Sequence, residues 1–204
     1  MAIGRRDRSR CFATSCCALL VVISLNGCES GKQSSTFYPI DSLLSQQILH
    51  LTTIRAALFK TATLSGKTDT IHYTPGDTLA WRKELDVFRS LDIINKPVNK
   101  DNYRVHDGLL DPGSNLTVKA FESIKEAPVV YLRIYYQGSM RKPRKIEALY
   151  REKNILYNSS RLLSLEFQQV KDNTVLTSYE IEGGQRMVMG DSVEFHIQGK
   201  VLID

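Results

Sequence analysis

Two segments in the first half of the chain carry apolar residues at helical spacing. In the first segment these residues recur every three or four positions: Leu44, Ile48, Leu51, Ile54 and Leu58. This spacing predicts an amphipathic helix from Asp41 to about Lys60. Asp41 or Ser42 is placed to cap its first turn, because short polar side chains accept hydrogen bonds from free backbone N–H groups.

The second helical segment follows a break at Pro75 and Gly76, with Asp77 at the position of an N-cap. Its predicted apolar side consists of Trp81, Leu85, Phe88 and Leu91 or Asp92. Its predicted water-facing residues are Arg82, Lys83, Glu84 and Asp86. We expect the helix to end at Pro97. Between the two helices, residues 61–65 and 68–74 predict a short hairpin that turns at Gly66 and Lys67.

From Tyr103 onward the apolar period falls from about 3.6 to about 2, which is typical of half-buried strands. The alternating runs are Val130, Leu132, Ile134 and Tyr136; Ile146, Ala148 and Tyr150; Leu163, Leu165 and Phe167; Val175, Thr177, Tyr179 and Ile181; and Val193, Phe195 and Ile197. Turn-forming residues separate the runs, including Gly183 with Gly184 and Gly190 with Asp191. The pattern predicts an α+β fold, in which two amphipathic helices pack on a curved, open-barrel-like antiparallel β-meander.

The first 28 residues have the layout of a bacterial signal peptide. Four arginines precede an apolar run from Ala13 to Leu25, which is shorter than the roughly 18 to 20 residues that span a bilayer. The residues that close the leader, Leu25, Asn26, Gly27 and Cys28, resemble a bacterial lipobox, although Asn26 departs from its commonest pattern. The resemblance implies cleavage between Gly27 and Cys28 and a diacylglyceryl thioether on the Cys28 sulfur.

This leader defines the predicted domain organisation and location of the protein. Residues 1–27 form the signal peptide, residues 28–37 the lipidated cysteine and a polar tether, and residues 38–204 a single α+β domain. We therefore expect a lipoprotein of the bacterial cell envelope, bound to the outer membrane through its N-terminal lipid. The alternative is an ordinary cleaved signal peptide, which leaves a soluble periplasmic protein.

Processing also changes the charge and the cysteine content of the chain. The net charge of +5 falls to +2 when the +3 of Arg5, Arg6, Asp7, Arg8 and Arg10 is removed. So small a charge gives no electrostatic basis for a nucleic-acid partner. Cys28 becomes the first residue of the mature chain and its only cysteine, so the domain has no disulfide.

Several short stretches of the mature chain carry a family resemblance. They are Trp81, Lys83, Glu84, Leu85 and Phe88; residues 92–97; Ile155, Leu156 and Tyr157; Tyr179, Ile181, Gly183, Gly184 and Gln185; and a closing strand near Gly199. With them the chain resembles a family of small uncharacterised outer-membrane lipoproteins of the Bacteroidetes type over nearly its whole mature length. The resemblance implies the same location and fold, and it implies no particular activity.

Motifs for catalysis, cofactors or metals are not evident. The stretch Ser65 to Thr68 resembles the end of a phosphate-binding loop, but Thr61 stands where that loop needs glycine, so a hairpin turn is favoured. The four histidines, His50, His72, His106 and His196, lack the spacing of a metal site. We expect no cofactor and no enzymatic activity.

Four hydroxyl residues follow an aspartate and precede an apolar residue: Ser42, Thr70, Thr78 and Ser192. This pattern resembles the O-glycosylation signal of exported Bacteroidetes proteins, which makes all four candidate glycosylation sites. The same pattern also occurs at helix caps and at junctions between turns and strands.

The predicted sheet is rich in tyrosine, at positions 131, 135, 136, 150, 157 and 179. These rings suit either a groove for a glycan or lipid or plain cross-strand packing. The sequence favours a non-catalytic binding or accessory module with an unidentified protein, glycan or lipid ligand. The alternative is a periplasmic carrier resembling the lipoprotein-localisation proteins, which would need an apolar cavity of roughly 300 Å³ or more between helices and sheet.

Overall fold

The computed structural model describes Met1 and residues 37–171 and 173–203. Gly27, Cys28 and the predicted leader lie outside these residues. The described residues from Phe37 onward form one compact unit. No helix in the described part of the chain is both long enough and apolar enough to cross a membrane.

The described residues contain two α-helices, two 3₁₀ helices and nine strands. The α-helices are α1 (Ile40–Thr53) and α2 (Thr78–Arg89), and the 3₁₀ helices span Ser90–Asn95 and Pro97–Asn102. The strands are β1 (Ala57–Leu64), β2 (Lys67–Tyr73), β3 (Tyr103–Leu110), β4 (Thr117–Ser123), β5 (Val129–Tyr136), β6 (Pro143–Lys153), β7 (Tyr157–Val170), β8 (Asn173–Met187) and β9 (Ser192–Leu202).

All nine strands form one antiparallel sheet in the order β2-β1-β9-β8-β7-β6-β5-β4-β3. The strands from β3 to β9 follow each other as a meander, which confirms the predicted antiparallel arrangement. The first hairpin, β1–β2, joins the other side of the meander because β1 pairs with β9. In the described residues, β2 and β3 stay at opposite edges, so the sheet is not closed.

One buried cluster holds side chains from both helices and from the sheet. Its fully buried members include Leu44, Leu51, Trp81, Leu85, Phe88, Phe121, Leu132, Ile134 and Leu165. Gln47 of α1 is also buried, and its side-chain amide is satisfied by the backbone of β8. It donates to the Thr174 carbonyl at 2.9 Å and accepts from the Leu176 N–H at 2.8 Å.

Helix α1 is shorter than the sequence predicts, and the predicted cap is wrong. Arg55 adopts a left-handed conformation with φ of 53°, and its N–H bonds the Thr52 carbonyl while the Ala56 N–H bonds the Leu51 carbonyl. This is a Schellman motif, which ends the helix before Leu58. At its start, Pro39 occupies the N-cap position without a side-chain cap, and Asp41 forms an ion pair with Arg89.

The start of α2 is confirmed, whereas its end differs from the prediction. Asp77 caps the helix by accepting a hydrogen bond from the Ala80 N–H at 2.8 Å. The α-helix ends at Arg89, and the 3₁₀ helix Ser90–Asn95 continues the chain towards Pro97. Leu91 is buried, while the Asp92 side chain accepts a hydrogen bond from Asn95 at 2.8 Å.

The two hairpin predictions that rest on glycine have different outcomes. The hairpin after β1 is confirmed, but its turn lies at Ser65 and Gly66, with φ of 46° and 82°, one residue earlier than predicted, because Lys67 already belongs to β2. The turn predicted at Gly183 and Gly184 is wrong, because both residues lie inside β8. A Cβ on Gly183 would lie 2.2 Å from the Ser160 carbonyl oxygen, so glycine allows a close approach of two strands there.

Candidate functional site

Glu84 is the central carboxylate of a polar cluster that joins α2 to three strands. Its side chain is 10% exposed, and its Oε1 lies 2.5 Å from the Lys60 Nζ on β1. Tyr73 of β2 donates to the other carboxylate oxygen at 3.0 Å, and Tyr179 of β8 donates to Oε1. The prediction that Glu84 faces water is therefore wrong.

The electrostatics of this cluster keep its groups in their ordinary protonation states. Burial alone would raise the pKa of Glu84, but the hydrogen bonds from Lys60 and Tyr179 outweigh burial and lower it. Burial, together with the negative charge of Glu84, raises the pKa of Tyr73 to about 12 and raises that of Tyr179 as well. An ionised carboxylate held by protonated tyrosines is not poised to transfer a proton at neutral pH.

Tyr179 reaches Glu84 because β9 leaves space for its ring. Gly199 is paired with Tyr179, and a Cβ on Gly199 would lie 2.1 Å from a ring carbon. On its other side, the ring of Phe88 meets Tyr179 edge to face, with 5.8 Å between centroids. The position of this tyrosine thus depends on a glycine in the neighbouring strand.

The face of the sheet opposite the Glu84 carboxylate carries a depression of about 480 Å³, which we call the outer-face groove. Polar side chains from four strands line it, namely Thr61 of β1, Glu166 and Gln168 of β7, Glu180 of β8, and Gln198 and Lys200 of β9. Phe59 of β1, with 44% of its surface exposed, adds an aromatic ring at one side. The pairing of β1, the first strand in the sequence, with β9, the last strand, brings these residues together.

Hydrogen bonds fix the carboxylates of this groove. Glu180 accepts from the Gln198 amide at 2.8 Å and lies 2.6 Å from the His196 Nε2. These two contacts lower the pKa of Glu180. Glu166 accepts from the Ser178 hydroxyl at 2.9 Å. Fixed acceptors, amide donors and an exposed aromatic ring together suit a ligand rich in hydroxyl groups.

Of the six tyrosines predicted on the sheet, Tyr179 is among the residues that line this groove, and the other five are not. The guanidinium carbon of Arg133 lies 4.5 Å from the ring centroid of Tyr131. The Lys145 Nζ lies 5.6 Å from the ring centroid of Tyr135. Burial would lower the pKa of Lys145, but its hydrogen bond to Glu147 raises it. The other tyrosines are separate from this pair: Tyr136 donates to Asp107, Tyr157 to Glu152 and Tyr179 to Glu84, while Tyr150 is half-buried.

The candidate glycosylation residues Ser42, Thr70, Thr78 and Ser192 are all exposed. They lie apart on α1, β2, the start of α2 and the start of β9. The aspartate before Thr78 is the cap of α2, and the one before Thr70 accepts a hydrogen bond from the Thr70 N–H at 2.8 Å. The four residues are accessible to a modifying enzyme.

The four histidines lie on four different elements of the fold. His196 contacts Glu180, and His106 lies 3.7 Å from Glu122. His50 is on α1 and His72 on the edge strand β2. Across the described residues, no three histidine, cysteine or carboxylate side chains come close enough to hold a metal ion.

Comparison of the chain with protein-family models, with curated proteins and with solved structures finds no match. The resemblance to Bacteroidetes lipoproteins stays a prediction.

Two features of the site were missed by sequence reasoning. Glu84 was assigned to a solvated face, and its three partners come from strands elsewhere in the chain. The outer-face groove consists of outward strand positions that read as ordinary polar alternation. The one available signal was Phe59, an apolar residue directly after the apolar Leu58. It breaks the alternation of apolar and polar residues along β1, and its side chain is exposed.

Proposed function

We propose that this protein is a lipid-anchored component of the bacterial cell envelope, attached to the outer membrane, and that its domain is a non-catalytic binding module. The leader that ends in Leu25, Asn26, Gly27 and Cys28 supports the anchor. The outer-face groove supports the binding role, and it is the observation that carries this part of the proposal. Its chemistry favours a glycan as the ligand.

The architecture that we propose for this module is the one expected from the sequence, with α1 and α2 packed on the apolar face of a curved, open sheet. The two hydrogen bonds of Gln47 to β8 support this packing for α1. The Glu84 cluster and the contact of Phe88 with Tyr179 support it for α2. With the helices on one face, the opposite face is left for a ligand.

The carrier alternative has less support than the binding module. Five depressions of about 270 to 530 Å³ lie on the described surface, and none of these five is lined by a residue of α1 or α2. The helix residues that face the cluster, such as Leu44, Trp81 and Leu85, are fully buried by other side chains. Native mass spectrometry tests the alternative, because a carrier would retain an additional, non-covalent lipid.

The anchor is tested by labelling cells with radioactive palmitate and fractionating them. We expect wild-type protein to carry label and to sediment with membranes, and Cys28→Ala to lose the label. Label and membrane association that both survive the substitution would contradict the anchor. A Ser114→Ala variant, which changes an exposed residue of the domain, is the control for expression and fractionation.

The groove is tested by electrophoresis of the detergent-solubilised protein through gels that contain glucan, mannan or xylan. We expect at least one of these polysaccharides to retard the wild type, and the double substitution Phe59→Ala and Gln198→Ala to abolish the retardation. Val105→Ala is the matched control, because Val105 is 42% exposed and lies on the edge strand β3, away from the groove. If no polysaccharide retards the wild type, or if the groove variant is retarded equally, the glycan proposal fails.

A further inference from the structure

The hairpins β6–β7 and β8–β9 project beyond the rest of the sheet at one end. A row of paired residues crosses the sheet through Leu64, Phe195, Gly183, Arg161, Tyr150 and Val129. Strand β1 ends on this row and β5 begins on it. Strands β6 to β9 continue past it by three further residue pairs in each hairpin, which is roughly 10 Å.

The ends of these two hairpins carry four exposed apolar side chains, which we call the apolar tip. They are Ile155, Leu156, Val188 and Met189, with exposed fractions of 91%, 68%, 62% and 98%. A contiguous group of such residues at the extremity of a fold indicates an interaction site. Isolated exposed apolar residues are common on proteins. These four, in contrast, belong to two loops that are joined by a backbone hydrogen bond.

The apolar tip has a defined conformation. The Val188 N–H donates to the Leu156 carbonyl at 2.9 Å, which joins the two loops. In the β6–β7 loop, the Asn154 side chain accepts from the N–H groups of Leu156 and Tyr157 at 2.8 and 2.9 Å. These hydrogen bonds therefore hold the two loops together, and all four apolar side chains on them are exposed.

The residues behind the tip match the pattern of a membrane interface. Tyr157 follows the tip directly, and its hydroxyl donates to Glu152 at 2.6 Å, so the ring has one apolar and one polar end. The charges around the tip balance, with Arg151, Lys153 and Arg186 against Glu152, Asp191 and Glu194. An equal number of opposite charges gives no preference for anionic lipid, so the apolar side chains would provide the contact.

The chain enters the domain beside β3 and β4, and Tyr38 reaches the loop between β5 and β6, where its hydroxyl donates to the Met140 carbonyl at 3.4 Å. The ring of Phe37 contacts those of Tyr103 and Phe121, with centroids 6.2 and 5.4 Å apart. Tyr103 is the first residue of β3 and pairs with the last residue of β4, at the end where the tip projects. The eight residues between Cys28 and Phe37 let these two positions lie at most about 30 Å apart, so a lipid on Cys28 would keep the domain close to a bilayer.

We propose that the apolar tip inserts into the interface of the bilayer that holds the Cys28 lipid, as a second, reversible membrane contact that fixes the orientation of the domain. The inference rests on the proposed lipid anchor. The apolar tip is a narrow projection, which a bilayer accommodates. A stable protein interface, in contrast, buries about 800 Å² of surface on each partner. Insertion at this end leaves the outer-face groove free along the side of the sheet.

Tryptophan fluorescence of the lipidated protein in vesicles tests the insertion. The vesicles consist of phosphatidylethanolamine and phosphatidylglycerol with brominated acyl chains, which quench indole emission within the bilayer. The native Trp81 is fully buried and serves as a constant background. Met189→Trp reports on the tip, and Leu110→Trp is the matched control, because Leu110 is 81% exposed at the opposite end of the sheet.

We expect the emission of Met189→Trp to shift to the blue and to be quenched by brominated lipid, while Leu110→Trp is unaffected. Adding Ile155→Glu and Leu156→Glu to Met189→Trp should remove the quenching, whereas Leu109→Glu and Leu110→Glu should not. If the protein floats with the vesicles but Met189→Trp is not quenched, the tip contact is overturned and the anchor stands. If the protein does not float with the vesicles, the anchor fails and the tip contact fails with it.

Discussion

The hydroxyl of Tyr179 on β8 donates a hydrogen bond to the carboxylate of Glu84 on α2, although the two residues are 95 positions apart in the chain. Lys60 and Tyr73 complete the contacts of the same carboxylate. Because the side chain of Glu84 is only 10% exposed, its charge depends on these partners for stabilisation. The cluster is therefore the polar connection between α2 and the sheet.

Removal of the carboxylate should destabilise the domain. We expect Glu84→Ala to lower the free energy of unfolding by about 3 kcal/mol, since it leaves the partly buried Lys60 without its counter-charge. Asp86→Ala, on the exposed face of the same helix, should change it by less than about 0.5 kcal/mol. Urea denaturation followed by circular dichroism measures both values, and equal values would contradict this role of Glu84.

The same carboxylate should make stability depend on acid pH. The pKa of Glu84 is lowered in the folded state, so its contribution is complete above the ordinary value of 4.5 and is lost as the pH falls through the folded-state value. The wild type should therefore lose more stability than Glu84→Gln on going from neutral pH to below 4.5. Parallel thermal melts across this range measure the difference, and parallel curves for the two proteins would refute it.

A methyl group on Gly199 should disturb the position of Tyr179. The added Cβ would lie 2.1 Å from the ring, so the ring or β9 has to move. We expect Gly199→Ala to cost about 1 to 3 kcal/mol in the free energy of unfolding. In Gly184→Ala the new Cβ would come no closer than 3.5 Å to another heavy atom, so this variant of the neighbouring strand should cost less. Chemical denaturation compares the two variants, and a smaller cost at Gly199 would contradict the packing described here.

The four exposed hydroxyl residues that follow an aspartate lead to a prediction about the intact mass of the protein. If they carry glycans, the protein from its native host should be heavier than polypeptide and lipid together. The excess should fall stepwise in Ser42→Ala, Thr70→Ala, Thr78→Ala and Ser192→Ala. Ser114→Ala, an exposed serine that does not follow an aspartate, should leave the mass excess unchanged. An intact mass equal to polypeptide plus lipid would discard the glycans.

Local signals in the sequence predicted the parts of the fold that local contacts determine. Asp77 caps α2 through a residue three positions away, and the first hairpin turns at Gly66, although its other turn residue is Ser65 and not the predicted Lys67. The end of α1 was not predictable in the same way. Arg55 takes the left-handed conformation that glycine usually adopts, and Leu58 continues the helical spacing although it belongs to β1.

The candidate site depends on contacts that the sequence order hides. The outer-face groove forms because β1 lies beside β9. This pairing sets Phe59 opposite Lys200, although the two residues are separated by nearly the whole sequence of the domain. Glu84 resembles a solvated helix residue until β1, β2 and β8 are placed around it. Gly183 and Gly184 resemble a turn, and only the close approach of Ser160 explains the first of them within a strand.

The most direct test of the lipid anchor is the mass of the N-terminal peptide of the protein isolated from membranes. After proteolysis and mass spectrometry, we predict a first peptide that begins at Cys28 and carries a diacylglyceryl group, with or without a further acyl chain. A first peptide that contains residues 1–27, or one that begins at an unmodified Cys28, would contradict the central claim.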